Sequence, residues 1–245
     1  MLQADVAPPE RRTLGCGHGA HRFQMAMALL MTAIVLVGFW PTFFGPLLRG
    51  LADRHWLLNL HGAVFAGWLV LLIAQVTLAA RGRLAAHRRL GAFGIAYGCV
   101  VLLLGLAVSF AAPLLHLEAG DWDINRAAGF LIVPLGDMVL FGGFFGAAIA
   151  RRRTPEVHKR LMLLATVSLL FAAVGRMTFL ALPAVVAVWL APVLLAMAHD
   201  AVTRRRIHPV YLIGLPVLVI GLLRLPLEQS PAWIAIGRSA LDALR

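Results

Sequence analysis

The sequence predicts an all-α protein, an integral membrane bundle of seven transmembrane helices. Of its 245 residues, 61% are hydrophobic and only 13% are charged, whereas soluble domains contain about 45–50% apolar and about 25% charged residues. The apolar residues form long runs, and the basic residues lie in short clusters between the runs. Because the net charge of +11 is distributed in this way, it indicates membrane topology, and no nucleic-acid partner is expected.

Seven apolar runs approach the length of a membrane span. A helix that crosses the hydrocarbon core needs about 20 mostly apolar residues. Five runs clearly meet this criterion, and two shorter runs contain a proline, which membrane helices tolerate. In order, the runs are Phe23–Phe44, Trp56–Ala80, Leu90–Ala112, Ala127–Ala150, Leu161–Leu182, Pro183–Ala201 and Val210–Leu225. The alternative count is six, if the last two runs do not both cross the membrane.

These runs divide the chain into three parts. Residues 1–22 form a basic tail that we expect to be disordered, residues 23–226 form the transmembrane domain, and residues 227–245 form a short tail. The first apolar run is longer than the roughly 7–15 apolar residues of a secretory signal peptide. We therefore interpret it as a retained first helix.

The distribution of Lys and Arg among the short loops predicts the orientation. Basic clusters occur in the N-terminal tail and in every second loop, namely at residues 81–89, 151–160 and 204–206. The longest of the other loops, residues 113–126, contains Glu118, Asp121 and Asp123. We therefore expect the N-terminus on the cytoplasmic side and the C-terminus outside.

Two of the basic loops match each other without a gap. Both combine a short arginine cluster with a histidine at the start of the next helix. The sequences are Arg81-Gly82-Arg83 followed by His87-Arg88-Arg89-Leu90, and Arg151-Arg152-Arg153 followed by His158-Lys159-Arg160-Leu161. An internal duplication and a convergence of basic turns explain this match equally well.

Ionisable residues inside apolar runs are candidate functional sites, because they are costly in a membrane. Asp137 lies about 15 Å from the outer end of the fourth helix, and Arg176 lies about 9 Å from the outer end of the fifth. Their opposite charges and similar depth predict either a structural ion pair or a proton or substrate site. Arg224 lies close to the end of the seventh helix and is expected to extend toward the lipid headgroups.

One face of the second helix combines an imidazole, aromatic rings and an amide. His61, Phe65, Trp68, Leu72 and Gln75 follow steps of three and four residues, which places them on one side of an α-helix. His61 is either a hydrogen-bonded core histidine or part of a site. Gln75 is assigned to the same candidate proton or substrate site as Asp137 and Arg176.

His87 and His158 begin the third and fifth helices at the cytoplasmic surface. A helix N-terminus keeps an imidazole neutral, and neutral imidazole is the form that binds haem iron. Glycines at positions 91, 94, 98 and 105 share one face of the third helix. This face either packs against a neighbouring helix or accommodates a flat macrocycle. His87, His158 and His61 are therefore candidate haem b ligands, and no other cofactor or metal site is predicted.

These motifs carry a resemblance to known membrane proteins. The combination of His61-Gly62, Trp68 and Gln75 with His87-Arg88-Arg89-Leu90-Gly91 and His158-Lys159-Arg160-Leu161-Met162 resembles a group of uncharacterised bacterial inner-membrane proteins. The His-Arg-x-Leu-Gly portion is also similar, more remotely, to transmembrane cytochromes b. The resemblance covers roughly residues 40–176 and implies a multi-pass protein of the bacterial inner membrane, without an activity. The chain departs from the ascorbate-type cytochromes b, because its second helix has no inner histidine.

Three functional hypotheses follow. The first is a haem b-binding redox or haem-handling module with a quinone or another acceptor. The second is a proton-coupled transporter of a small solute, in which Asp137 takes up the proton. The third is a non-catalytic subunit or assembly factor whose glycine faces bind a partner membrane protein. The sequence contains no Walker loop, dinucleotide fingerprint or hydrolase motif. Whether the protein is an enzyme stays open, and we expect at most a membrane electron-transfer component.

Overall fold

The computed structural model describes residues 14–51 and 55–245, and the side chains among them from His21 onward. Within these ranges the chain is helical and has no strands, and seven helices are long and apolar enough to cross a membrane. We name them spans 1 to 7: His21–Leu48, Trp56–Ala80, Leu84–Glu118, Ile124–Ala150, Pro155–Val174, Leu182–Arg204 and Pro209–Leu227. The predicted all-α class and the count of seven are confirmed.

Several spans contain a local break. The helix of span 1 begins at Leu14, passes through a π-helical turn at Trp40–Phe44 and ends with the short helix Gly45–Leu48. Span 4 consists of the helices Ile124–Phe130 and Ile132–Ala150. Span 5 consists of Pro155–Leu169 and Phe171–Val174, and span 7 of Pro209–Gly221 and Arg224–Leu227. Residues 14–22, which we expected in a disordered tail, thus belong to a helix. Residues 1–13 of that tail lie outside the described residues.

The bundle has two chemically different ends. We call one the basic end; it contains the turns at residues 81–83 and 151–154 and the loop at 205–208. The opposite end contains residues 49–51 and 55 and the connections at residues 119–123 and 175–181. Asp123 caps the first helix of span 4 at this opposite end, where hydrogen bonds from the backbone N–H groups of Arg126 and Asn125 lower its pKa.

Span 5 lies at the centre of the bundle. It packs against spans 1, 4, 6 and 7, and more of it is buried than of any other span. The reason lies in its small and slightly polar residues, which allow neighbouring helices to approach closely. Leu164, Ala165, Thr166, Val167 and Ser168 are all completely buried.

Two tryptophans attach neighbouring spans to this central helix. Nε1 of Trp68 in span 2 donates to Oγ1 of Thr166 at 3.3 Å. Nε1 of Trp189 in span 6 donates to the backbone oxygen of Val167 at 2.9 Å. A buried indole N–H needs an acceptor, so these bonds fix the rotation of spans 2 and 6 relative to span 5.

Span 5 is shorter than the sequence predicts. The apolar run continues to Leu182, but the helix ends at Val174 and the next helix begins at Leu182. The regular hydrogen bonding already changes at Leu170, whose N–H donates to the oxygen of Val167 three residues earlier, at 3.0 Å. Hydropathy alone cannot detect this change, because the residues that follow are also mostly apolar.

The C-terminal segment is a packed helix, in contrast to the tail that we expected. Pro231–Asp242 lies against the first helix of span 4. Nε1 of Trp233 donates to the oxygen of Gly129 at 3.2 Å, and Leu241 is completely buried. A Cβ atom added to Gly237 would lie 2.6 Å from the oxygen of Ala128. Small residues on both helices therefore allow this close contact.

The contact between spans 1 and 5 leads to a first prediction. A Cβ atom added to Gly38 would lie 2.2 Å from the backbone oxygen of Ala173, which cannot rotate away. We expect Gly38→Ala to cost about 1–3 kcal/mol of stability, as overpacking of a core does, and to lower the midpoint of thermal unfolding in detergent. Gly143→Ala is the matched control, because nothing lies within 4 Å of its added Cβ. An unfolding midpoint for Gly38→Ala equal to that of Gly143→Ala would contradict this contact.

Candidate functional site

Asp137 and Arg224 form a buried ion pair between spans 4 and 7. Nη2 of Arg224 donates to Oδ1 of Asp137. The two residues are only 4% and 6% exposed. Asp137 lies thirteen residues from Ala150 and Arg224 fifteen from Pro209, so both are about 20 Å from the basic end along their helices. The equal depth explains why these two groups meet.

The surroundings of Arg224 satisfy only part of its guanidinium group. Nη1 donates to the backbone oxygen of Gly221 at 2.9 Å, and the ring of Phe171 lies 4.7 Å from Cζ. Nε is buried and has no hydrogen-bond partner among the described residues. A Cβ atom added to Gly136 would lie 2.6 Å from Cδ of Arg224, so this glycine provides the space for the arginine side chain.

The predicted pairing of Asp137 with Arg176 is wrong. Arg176 lies in the connection after span 5, because the helix ends at Val174. It is exposed, its Nη1 donates to the oxygen of Ala172 at 2.6 Å, and its Cζ lies 4.5 Å from the centre of the Phe39 ring. Arg224, which we expected to extend to the headgroups, takes its place beside Asp137.

His61 remains separate from the Asp137/Arg224 pair in its contacts. Its ring lies 4.1 Å from that of Phe65 on the same helix, in agreement with the predicted face. Its Nδ1 is buried without a hydrogen-bond partner in the described part of the chain. Among the described residues, no hydrogen bond, ion pair or ring contact joins His61 to Arg176 or to Asp137.

Gln75 and His87 join spans 2 and 3 at the basic end. In the orientation in which both the oxygen and the nitrogen of the Gln75 amide have hydrogen-bond partners, the oxygen accepts from the N–H of Gly91 at 2.8 Å. The nitrogen donates to Nδ1 of His87 at 2.7 Å. The backbone oxygen of Gln75 is farther from Nδ1, at 3.2 Å. In this arrangement the ring proton of His87 is on Nε2. Gln75 is therefore a partner of His87, far along span 2 from His61.

His158 makes a similar contact with the preceding helix. Its Nδ1 lies 2.8 Å from the backbone oxygen of Ala148. Because a carbonyl oxygen only accepts, Nδ1 carries the proton and Nε2 of the neutral ring has a free lone pair. This is the orientation that metal-binding histidines usually have. Of the two predicted haem ligands in the basic end, only His158 has it.

The glycine face of span 3 is covered by side chains of spans 2 and 4: Gly91 and Gly94 face Gln75 and Leu71 of span 2, and Gly98 and Gly105 face span 4. A Cβ added to Gly98 would lie 2.3 Å from the ring of Phe145, and one added to Gly105 would lie 2.1 Å from Sδ of Met138. Span 4 packs against both span 3 and span 5. The face therefore serves helix packing here, and a macrocycle between His87 and His158 does not fit this arrangement.

Sequence reasoning missed a second charged network, which lies at the basic end. Nε and Nη2 of Arg160 donate to Oδ2 and Oδ1 of Asp200, at 3.0 and 2.6 Å, and Nη1 donates to Oε2 of Glu156 at 2.7 Å. Lys159 and Arg204 also bind Glu156, each at 2.6 Å. The available signal was Asp200 itself, an acidic residue four positions before Arg204 in a predicted span.

His208 borders this network in the loop between spans 6 and 7. Its Nδ1 accepts from the backbone N–H of Val210 at 3.2 Å, which caps the helix of span 7. Burial, and then the positive charge of Arg160, lower the pKa of His208. The neutral ring that the cap requires is therefore favoured.

The buried pair leads to a prediction about stability. Asp137→Ala leaves the Arg224 charge buried without its partner, and we expect this to cost about 3–5 kcal/mol. In the double variant Asp137→Leu and Arg224→Met no charge remains, so it should recover most of that loss. Thermal unfolding of the detergent-purified proteins measures both effects. Arg176→Met is the control and should keep the wild-type stability. If it lost as much stability as Asp137→Ala does, this would argue for a pair of Asp137 with Arg176.

Searches against protein-family models, curated proteins and solved structures found no match for this chain.

Proposed function

We propose that the protein is a multi-pass transporter that couples the movement of a small anionic solute to that of a proton, with Asp137 and Arg224 as its site. The observation that supports this proposal is the burial of this pair together with a donor, Nε of Arg224, that has no hydrogen-bond partner among the described residues. Buried polar groups are normally satisfied, and ionisable residues within membrane spans mark solute or proton pathways.

The chemistry of the pair suggests how the coupling works. Ionised Asp137 occupies the guanidinium group of Arg224, so an anion has to compete with the carboxylate. When a proton binds Asp137, the carboxylate loses its charge and Arg224 becomes free to bind the anion through Nη2 and Nε. Release of the proton and the anion on the other side of the membrane restores the ion pair between Asp137 and Arg224. One proton and one negative charge then move together, and the ion pair holds the empty site neutral.

The surroundings of Arg224 suit a change of partner. Glycines lie on two sides, since a Cβ at Gly221 would lie 3.1 Å from Nη1 and one at Gly136 would lie 2.6 Å from Cδ. The guanidinium group is therefore enclosed by backbone and by the ring of Phe171. A small solute is the substrate class that such a confined site favours.

The proposed location is the bacterial inner membrane, with the N-terminus and the basic end in the cytoplasm. The supporting argument is the Lys and Arg content of the turns at this end. The C-terminal helix then lies at the outer surface. In this orientation the Asp137/Arg224 pair lies in the outer half of the bilayer, about 10 Å from its outer boundary if the core is about 30 Å thick.

Transport by reconstituted protein tests this proposal. Proteoliposomes that enclose a pH-sensitive dye receive phosphate, sulfate or succinate from outside, with the external medium more acidic. We expect internal acidification above that of empty liposomes with at least one of these anions. Asp137→Asn should abolish the proton coupling, and Arg224→Gln should abolish solute uptake as well, because it removes the anion-binding charge.

Arg176→Gln is the matched control, because it removes an arginine that does not contact Asp137. It should retain wild-type uptake. Absence of uptake for all three anions, or unchanged acidification by Asp137→Asn, would reject the role of the pair.

A haem b-binding redox module is the second candidate, and one observation favours it. Nδ1 of His158 is held by the oxygen of Ala148, which leaves Nε2 available for iron. The orientation of His87 and the filled glycine face count against a haem held by both histidines. A single axial ligand at His158 is the form of this hypothesis that remains compatible with the described contacts.

An absorption spectrum tests the haem hypothesis directly. After expression with ample haem, it requires a Soret band in the purified protein that His158→Ala removes. His208→Ala should keep the band, because Nδ1 of His208 caps span 7. A wild-type spectrum without the band excludes this candidate and leaves the transport proposal unaffected.

A further inference from the structure

A groove at the basic end combines apolar walls with two arginines. It lies between the last turns of span 2 and the first turns of span 3 and has a volume of about 730 Å³. We call it the Arg83 groove; its main lining residues are Leu78, Arg83, Leu84, Arg89, Leu90 and Phe93. Leu84 and Phe93 are 52% and 57% exposed. The groove is therefore open on the side of the bundle that faces the lipid.

The positive charge of this groove is not balanced by an acidic residue in the described part of the chain. Arg83 and Arg89 are exposed, and neither has an acidic partner among the described residues. The first turn of the span 3 helix contains no acidic residue. The corresponding turn of span 5 is different, because Glu156 there binds Lys159, Arg160 and Arg204.

We propose that the Arg83 groove binds an anionic phospholipid, with its phosphate on Arg83 and Arg89 and its acyl chains along Leu84, Leu90 and Phe93. Guanidinium groups bind phosphate through paired hydrogen bonds, and basic pockets between membrane helices at the cytoplasmic side bind anionic headgroups. The apolar walls favour a lipid over free phosphate, because inorganic phosphate makes no use of exposed leucine and phenylalanine side chains. This inference does not depend on the proposed transport activity.

Lipid binding to the delipidated, detergent-purified protein tests the proposal. Native mass spectrometry can compare dioleoyl-phosphatidylglycerol with dioleoyl-phosphatidylcholine, which have the same acyl chains. Two arginines near a headgroup correspond to about a thirtyfold preference for the anionic lipid. We expect this preference in the wild type and its loss in the double variant R83Q/R89Q. No preference in the wild type would overturn the proposal.

Two further variants separate a defined site from general charge attraction. R151Q/R153Q removes the same charge from exposed arginines at the same end, outside the groove, and should retain the preference. An equal loss in both double variants would mean diffuse attraction and would overturn the site. L84S/F93S keeps both arginines and should weaken phosphatidylglycerol binding, because the acyl chains lose their contacts.

Competition distinguishes a lipid from free phosphate. We expect millimolar inorganic phosphate to leave bound phosphatidylglycerol in place, and displacement by phosphate would overturn the lipid assignment. Arg83 and Arg89 make no internal ion pairs among the residues described, so R83Q/R89Q should unfold at the wild-type temperature. R83K/R89K, which keeps the charge but loses the paired donors, should retain only part of the preference. A preference equal to that of the wild type would overturn the role assigned to the paired guanidinium donors.

Discussion

In a bilayer core without water, a polar side chain on one span has to find its partner within the protein, and this constraint organises the whole bundle. Among the described residues, eight polar contacts join different spans, at several depths. They are Tyr97 with the oxygen of Val64, Gln75 with His87, Trp68 with Thr166, Trp189 with the oxygen of Val167, His158 with the oxygen of Ala148, Arg160 with Asp200, Arg204 with Glu156, and Arg224 with Asp137. Five of the eight involve span 5. Its central position thus follows from its hydrogen-bonding groups as well as from its small residues.

Glycines make several of these contacts sterically feasible. A Cβ added to Gly67 would lie 2.0 Å from Oη of Tyr97, and one added to Gly136 would lie 2.6 Å from Cδ of Arg224. The hydrogen bond of Tyr97 and the ion pair of Arg224 therefore each need a glycine on a neighbouring span. Glycine is costly in an isolated helix, but in a membrane bundle it permits the close approach that polar contacts require.

The seven spans were predictable because hydropathy is a local property of the sequence. The pairing of Asp137 was not, because it depends on which helices are neighbours and on where each helix ends. Span 5 ends eight residues before its apolar run does, which moves Arg176 out of the helix. Arg224 looked like a headgroup contact because it lies near the end of an apolar run, yet contacts with spans 4 and 5 bury it. The C-terminal helix was also missed, since its apolar residues are too few for a span but enough to pack on Ala127 and Ala128.

The two charged networks differ in how completely they are satisfied, and this difference argues for different roles. Arg160 binds the carboxylates of both Asp200 and Glu156, with three hydrogen bonds from Nε and Nη2 to Asp200 and one from Nη1 to Glu156. A fully satisfied network of this kind rigidifies the structure around it, and here it joins spans 5 and 6 at the basic end. Arg224 has one carboxylate and a buried Nε without a partner among the described residues. An exchange of partners at Arg160 would break several bonds at once, whereas in the proposed transport cycle a single proton on Asp137 removes the main competitor for an anion at Arg224. This contrast is why the proposal places the site at the less satisfied pair.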